Sequence, residues 1–173
     1  MTTTLLLVRH GETDWNAEHR WQGHTDVPLN ERGREQARAL AEQLAAEPVD
    51  AIYASDLSRA RATAEAVAEL LGLPVTIDPD LREIDVGSRE GLTGEEVGER
   101  EWDGEPHAAH GERVLRAVHR IAAAHPTGRV LVVAHGGCLR RVQESIDAEV
   151  DGWFGNCVLW PLAYEDGKLR AID

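Results

Sequence analysis

Two short apolar runs in this chain end in the same way. Leu5-Leu6-Leu7-Val8 passes directly into Arg9-His10-Gly11, and Val130-Leu131-Val132-Val133-Ala134 passes directly into His135-Gly136-Gly137. An unbroken aliphatic run has no polar face to offer water. Each is therefore expected as a strand buried on both sides, the condition of parallel sheets flanked by helices. The chain must build a sheet with two covered faces and release polar residues at the carboxyl ends of two strands. Ala51-Ile52-Tyr53-Ala54 and Val75-Thr76-Ile77 are further strand-like runs, separated by a helical pattern.

Asn30 is a good N-cap for a helix reaching about Ala45, with Ala37, Leu40, Ala41 and Leu44 on one face. A second helix begins near Ser58, turns Ala60, Ala64, Val67 and Leu71 inward, and stops at Gly72 and Pro74. A third is expected over Glu112 to Ala124 and a fourth over Leu139 to Ser145. Val158 to Leu162 and Leu169 to Ile172 flank the turn dipeptide Asp166-Gly167, and Pro161 places its strand near a sheet edge. The expected class is α/β, a three-layer sandwich with a mostly parallel central sheet and helices on both faces. No repeat or linker divides the 173 residues, so one domain is expected over 1–173, with a short acidic cap segment at about 78–112.

Acidic residues outnumber basic ones by 31 to 18, and no basic track offers a path for a phosphate backbone, so nucleic acid is not an expected partner. From Asp78 to Glu105 there are eleven acidic and three basic residues, read as a solvated loop-plus-helix cap whose acidic rim disfavours polyanions. The N-terminus reaches Arg9 after four apolar residues, too few for a signal-peptide core or a membrane span. No membrane partner and a cytoplasmic location are expected. Cys138 and Cys157 have no C-x-x-C context and are expected as reduced thiols.

In parallel α/β sheets ligands bind beyond the carboxyl ends of the strands, where Arg9, His10 and His135 fall. Arg59 follows the Ala51 to Ala54 strand at the start of a helix. Two guanidiniums and two imidazoles around one crevice select for a compact tetrahedral anion, because each guanidinium presents forked donors and keeps its charge. A phosphate monoester of a small molecule is the natural fit. His107 and His110 form an H-x-x-H pair beside Gly111, but no third ligand is evident in the sequence. They are expected in a solvent-facing loop, and neither a metal nor another cofactor is expected. His19, His24, His119 and His125 fall in polar or helix-surface settings. Trp153, Phe154 and Trp160 are expected as a packing cluster, with a homodimer contact as the alternative.

Leu6-Leu7-Val8-Arg9-His10-Gly11-Glu12-Thr13 with Asn16 resembles the Arg-His-Gly signature of the histidine phosphatase superfamily, also called the phosphoglycerate mutase-like family. Further blocks follow in the family order. Gln22-Gly23, Asp26, Pro28-Leu29 and Gly33 resemble its second, Ser55 to Ala60 with Thr63-Ala64 its third, and Leu81 to Gly87 with Glu90-Gly91 its acid-bearing block. Val132 to Gly137 resembles its last, and the acid block is also similar to that of α-ribazole and broad-specificity sugar phosphatases. The resemblance implies that His10 carries the phosphoryl group and that Arg9, Arg59 and His135 stabilise it. It also implies Asn16, Gln22, Gly23 and Gly136 as phosphate or substrate contacts and Glu83 as proton donor to the leaving oxygen. Asp85 is read as a structural partner, and Asn156-Cys157 either closes the pocket or forms a turn. Arg89 stands where the family often has tryptophan, and Arg113 where it has the serine of Gly-Glu-Ser. Only 51 residues separate Glu83 from His135, whereas family mutases carry a longer insertion there. That favours a metal-independent phosphomonoesterase. A phosphoglycerate mutase and a catalytically silent phosphate-binding module are the alternatives.

Overall fold

The computed structural model describes every residue except Asp147, Val150, Asp151 and Asp173. In chain order the elements are β1 (Thr3–Arg9), α1 (Asp14–Ala17), α2 (Glu31–Leu44), β2 (Ala51–Ala54), α3 (Ser58–Leu71) and β3 (Val75–Ile77). They continue with α4 (Gly94–Val97), α5 (His107–Ala124), β4 (Arg129–Ala134), α6 (Gly136–Ser145), β5 (Leu159–Glu165) and β6 (Lys168–Ala171). The strands form one sheet in the order β3-β2-β4-β1-β5-β6. β3, β2, β4 and β1 run parallel, while β5 and β6 pair antiparallel at one side.

Strand alternation divides the apolar residues between two cores. Leu5, Leu7, Val130 and Val132 face Val118, Ile121 and Leu139 of α5 and α6. Leu6, Val8, Leu131 and Val133 face Leu40, Leu44, Ala64 and Val67 of α2 and α3. The sheet is therefore the middle of three layers. Each fully buried Leu or Val contributes roughly 1.5–3 kcal/mol relative to exposure, so this alternation commits both strands to the centre.

Local chemistry sets the element ends. Gly33 N–H donates to Asn30 Oδ1 at 2.8 Å to cap α2, and Gly72 closes α3 with φ +67°. Asp166 and Gly167 both have positive φ, as a two-residue hairpin requires. Pro161 sits where the β5–β6 ladder ends: Ile172 N–H donates to its carbonyl at 3.2 Å, and proline has no N–H to return.

Three expectations need correction. α5 begins at His107, five residues early, so His107 and His110 lie on a helix rather than in a solvent-facing loop, and His110 is buried. α6 begins at Gly136, immediately after His135, because its packing outweighs the poor helix propensity of two glycines. Asp85 accepts from Gly87 N–H at 2.8 Å, a structural use.

The acidic segment also spends its charge locally. Asp78 and Asp80 pair with Arg120, Glu105 with Arg113 and Glu96 with Arg20, while Glu90 accepts from His24 N–H and the Thr25 hydroxyl. These carboxylates hold loops in place. Among the described residues no helix is long and apolar enough to cross a membrane.

Candidate active site

The register of β1 against β4 pairs Arg9 with Ala134. The next residue on each strand is a histidine, so the sheet itself brings His10 and His135 together, with ring centroids 5.2 Å apart. Both rings are buried. His10 N–H donates to Ala134 O at 3.0 Å, carrying the ladder one step beyond β1.

The His10 ring is fixed as well as placed. Its Nδ1 lies 2.6 Å from the Gly11 carbonyl, which can only accept, so Nδ1 carries the proton and Nε2 keeps its lone pair. Gly11 N–H donates to Thr63 Oγ1 at 3.0 Å, and the Thr63 hydroxyl donates to Arg59 O at 2.7 Å. Asn156 Nδ2 donates to His10 O at 2.8 Å, so this asparagine supports the backbone at His10. A Cβ on Gly11 would stand 2.5 Å from Gly33 O, a contact only glycine avoids.

Arg59, in the first turn of α3, donates Nη1 to Thr25 O and Nη2 to Gly23 O, each at 2.9 Å. Arg9 donates Nη1 to Phe154 O at 3.0 Å. Among the described residues neither guanidinium has a salt-bridge partner. Among the described residues Arg9 Nε, Arg59 Nε and His135 Nδ1 are buried with no hydrogen-bond partner. Arg89 and Arg129 bury an unpartnered Nε too, but three of the five such groups among the described residues gather around His10. Natural proteins rarely leave buried donors unspent, and a cluster of them suits an anion.

Burial drives His10 well below the ordinary imidazole range, and Arg59 and Arg9 push the same way against the Gly11 hydrogen bond. Burial, then Arg59, His10 and Arg9, does the same to His135. Both rings are neutral at pH 7. Burial also lowers Arg9 and Arg59, yet guanidiniums stay charged under any physiological condition.

Glu83 arrives from the loop after the Pro79–Leu81 turn. Its Oε1 accepts from Ile84 N–H at 2.8 Å and its Oε2 from Gly137 N–H at 3.0 Å, in the first turn of α6. A Cβ on Gly137 would overlap Glu83 Oε1, so the second glycine makes room for the carboxylate. Arg113 clamps this loop: Nη1 donates to Asp80 O (2.9 Å) and Arg82 O (2.6 Å), and Nη2 to Glu83 O (2.9 Å) and Glu105 Oε2 (2.8 Å). His24 Nε2 donates to the same Glu83 carbonyl at 2.8 Å. Arg113 thus fixes the loop that carries Glu83.

Asn16, Gln22, Gly23 and Gly136 line the same cavity of about 840 Å³ as Arg9, His10, Arg59 and Glu83. Asn16 Oδ1 accepts from Thr13 N–H at 3.1 Å, leaving its NH₂ as the donor group, and Gln22 Oε1 accepts from the Thr13 hydroxyl at 2.9 Å. Gln22 and Gly23 act on the site through Thr13 and Arg59. His135 does not line the cavity; its Nε2 lies 2.8 Å from Ser55 Oγ.

The cavity mouth overturns the expected acidic rim. Of the eleven acidic residues from Asp78 to Glu105 only Glu83 lines it, while Trp15, Trp21, Trp102 and Trp153 do, with Arg140 and Arg141 from α6. Arg89 lies against Trp102 and Trp21, 5.1 and 5.8 Å from the ring centroids, and so braces this aromatic wall. Phe154 and Trp160 pack together as expected, but Trp153 is 70% exposed beneath Arg140.

Sequence reasoning missed Thr63, His24 and the clamp by Arg113. Thr63 had a legible signal, being a hydroxyl four residues after Arg59 on the buried face of a helix. His24 and Arg113 had none, since both act on a carbonyl distant in sequence.

Residues 5–170 match the histidine phosphatase superfamily (branch 1). The chain is 38% identical to the uncharacterized phosphatase PhoE of Bacillus subtilis, over 99% of this chain and 93% of that one. It is 42% identical to a metal-independent phosphoserine phosphatase of Arabidopsis thaliana, over 81% and 67% of the two chains. Among solved structures, Bacillus stearothermophilus YhfR superposes with a TM-score of 0.89 at 33% identity, covering 98% of this chain and 95% of that one. Two histidines set by strand register, a ring of buried donors and similarity along nearly the whole chain agree: the chain belongs to the histidine phosphatase superfamily.

Proposed function

We propose that this protein hydrolyses a small phosphorylated metabolite in two steps, with His10 as the temporary carrier of the phosphoryl group. The observation that carries this reading is the His10 ring, whose proton is held on Nδ1 by the Gly11 carbonyl while Nε2 keeps its lone pair among buried cations.

In the first step Nε2 attacks phosphorus, the P–O bond to the leaving group breaks, and Glu83 in its acid form gives that oxygen a proton. Arg9 and Arg59 neutralise charge on the equatorial oxygens, and Asn16 adds a neutral donor. His135 supports the transfer through its Nδ1, which carries the ring proton when the Ser55 hydroxyl donates to Nε2. In the second step Glu83, now a carboxylate, takes a proton from water as the water oxygen attacks phosphorus and the P–Nε2 bond breaks. No step needs a metal ion. Gly136 and Gly23 shape the floor, and Gln22 acts through Thr13. Work in the cytoplasm is part of the proposal and is supported by the two free thiols, Cys138 and Cys157.

Arg140 and Arg141 give the mouth cations that a mutase would use on a second anionic group, so the mutase reading stays in the test. Sugar phosphates, phosphoglycerates, phosphoserine and nucleotides should be assayed for phosphate release in the presence of a chelator. Release from one class with turnover unaffected by chelation is expected. Isomerisation of 3-phosphoglycerate without net phosphate release would assign the mutase reaction instead, and no turnover would leave a binding module.

A further inference from the structure

We infer that Glu83, His110 and Cys138 form an inhibitory site for a borderline-soft divalent cation such as Zn²⁺, which captures the proton donor of the reaction proposed above. The three side chains come from the acid loop, the first turn of α5 and the first turn of α6. Their ligand atoms all lie within 4.8 Å of one another. His110 Nε2 stands 3.9 Å from Glu83 Oε1 and 3.6 Å from Cys138 Sγ.

Zinc takes thiolate at about 2.3 Å and imidazole or carboxylate at about 2.0–2.2 Å, so tetrahedral neighbours stand about 3.3–3.6 Å apart. The trio therefore needs to contract by about 1.5 Å at most, within reach of side-chain torsions. Carboxylate, imidazole and thiolate form a mixed donor set suited to Zn²⁺ and poor for Mg²⁺ or Ca²⁺. Glu83 and His110 both line the cavity, which gives an ion a path to them and leaves its fourth position facing the cavity. Support beneath the ligands is already built, since Gly137 N–H holds the other Glu83 oxygen and Arg113 holds the Glu83 carbonyl.

Binding balances as Zn²⁺ plus neutral His110, the Glu83 carboxylate and the Cys138 thiol giving the three-ligand complex and one proton, lost from sulfur to solvent. That thiol otherwise points its hydrogen at the Leu81 and Arg82 carbonyls, 3.3 and 3.4 Å from Sγ. With its carboxylate on the metal, Glu83 has no proton for the leaving oxygen. Turnover stops while His10 and both arginines remain intact. The site requires no metal for the reaction itself, so a chelator should preserve or raise activity.

Two measurements test this. Co²⁺ added to the metal-free protein should produce thiolate-to-cobalt absorption that saturates at one equivalent, is absent in Cys138→Ala and persists in Cys157→Ala. Zn²⁺ should inhibit phosphate release reversibly, and Cys138→Ala and His110→Gln should each raise the half-inhibiting concentration at least about tenfold. Metal-free turnover of Cys138→Ala should stay within about threefold of the parent, and circular dichroism checks that each variant is folded. Absence of the cobalt band in the parent, its retention in Cys138→Ala, or equal zinc inhibition of the parent and Cys138→Ala would overturn the site. The cobalt spectrum needs no substrate, so it reports on the site even if the phosphatase reading fails.

Discussion

At the scale of single residues, the chemistry turns on imidazoles kept neutral in the company of cations. His10 and His135 are driven well below the usual range by burial and by Arg59, and burial takes His110 down to about 4. The acid limb of kcat/KM should therefore lie well below pH 6.5, since His10 holds its lone pair until it is protonated. Stability has the opposite exposure to acid. Below about pH 6.5 the unfolded chain protonates these histidines and the folded chain does not, so the unfolded state binds more protons. Stability is fully present above that pH. It should fall by up to about 1.4 kcal/mol per pH unit per histidine as pH drops towards the folded values, read as a lower urea midpoint at pH 5.5 than at pH 7.5.

Glu83 provides the second residue-scale prediction. Glu83→Gln should slow alkyl phosphates by about 10²–10⁴-fold and p-nitrophenyl phosphate far less, because a good leaving group needs no proton. Equal slowing of both would contradict leaving-group protonation. Much of the site was legible at this scale because most of the proposed catalytic groups stand next to a structural signal. Arg9, His10 and His135 follow unbroken apolar strands, and Arg59 opens a helix. His24 and Arg113 were not, since a hydrogen bond to a carbonyl leaves no periodicity in the chain.

At the scale of elements, α6 and the acid loop form a unit. The helix starts directly after His135, so the Gly137 N–H of its first turn, free of an intrahelical partner, donates to Glu83. Two glycines hide this start from propensity reasoning, and the second of them, Gly137, admits the carboxylate. The hidden start of α5 has another cause: no side chain caps it, so only packing reveals that His107 to Gly111 is helical. Arg113 ties α5 to the acid loop through bonds to three carbonyls and an ion pair with Glu105. Arg113→Ala should cost about 2–3 kcal/mol and lower kcat with little change in KM, because it frees the acid but not the phosphate cradle. Lysine lacks the forked donors and should restore only part of that loss. Unchanged kcat in a folded Arg113→Ala would refute the clamp.

At the scale of the molecule, the sheet does what no local motif does. Residues 125 positions apart become neighbours because β1 and β4 are adjacent and in register. The two unbroken apolar runs, each ending in histidine, made that legible. Charge distribution was not legible. A net charge of -13 and an acidic central segment suggested a repelling rim, but most of that segment's carboxylates pair with arginines or cap loops, and the mouth is aromatic and basic. Composition reports totals, whereas a substrate meets only the side chains that face it. Reversing Arg140 or Arg141 to Glu should raise KM about two- to fivefold for substrates with a second anionic group, more at low salt. KM for p-nitrophenyl phosphate should change less, and equal effects on both would place these arginines outside the substrate path.

The central claim, that phosphorus rests on His10 during turnover, is tested most directly by quenching the enzyme in alkali during steady-state turnover of a ³²P-labelled substrate and mapping the label. The account predicts acid-labile, alkali-stable label on the peptide containing His10, and neither label nor turnover in His10→Ala. Full turnover by His10→Ala, or label on any other residue, would contradict it.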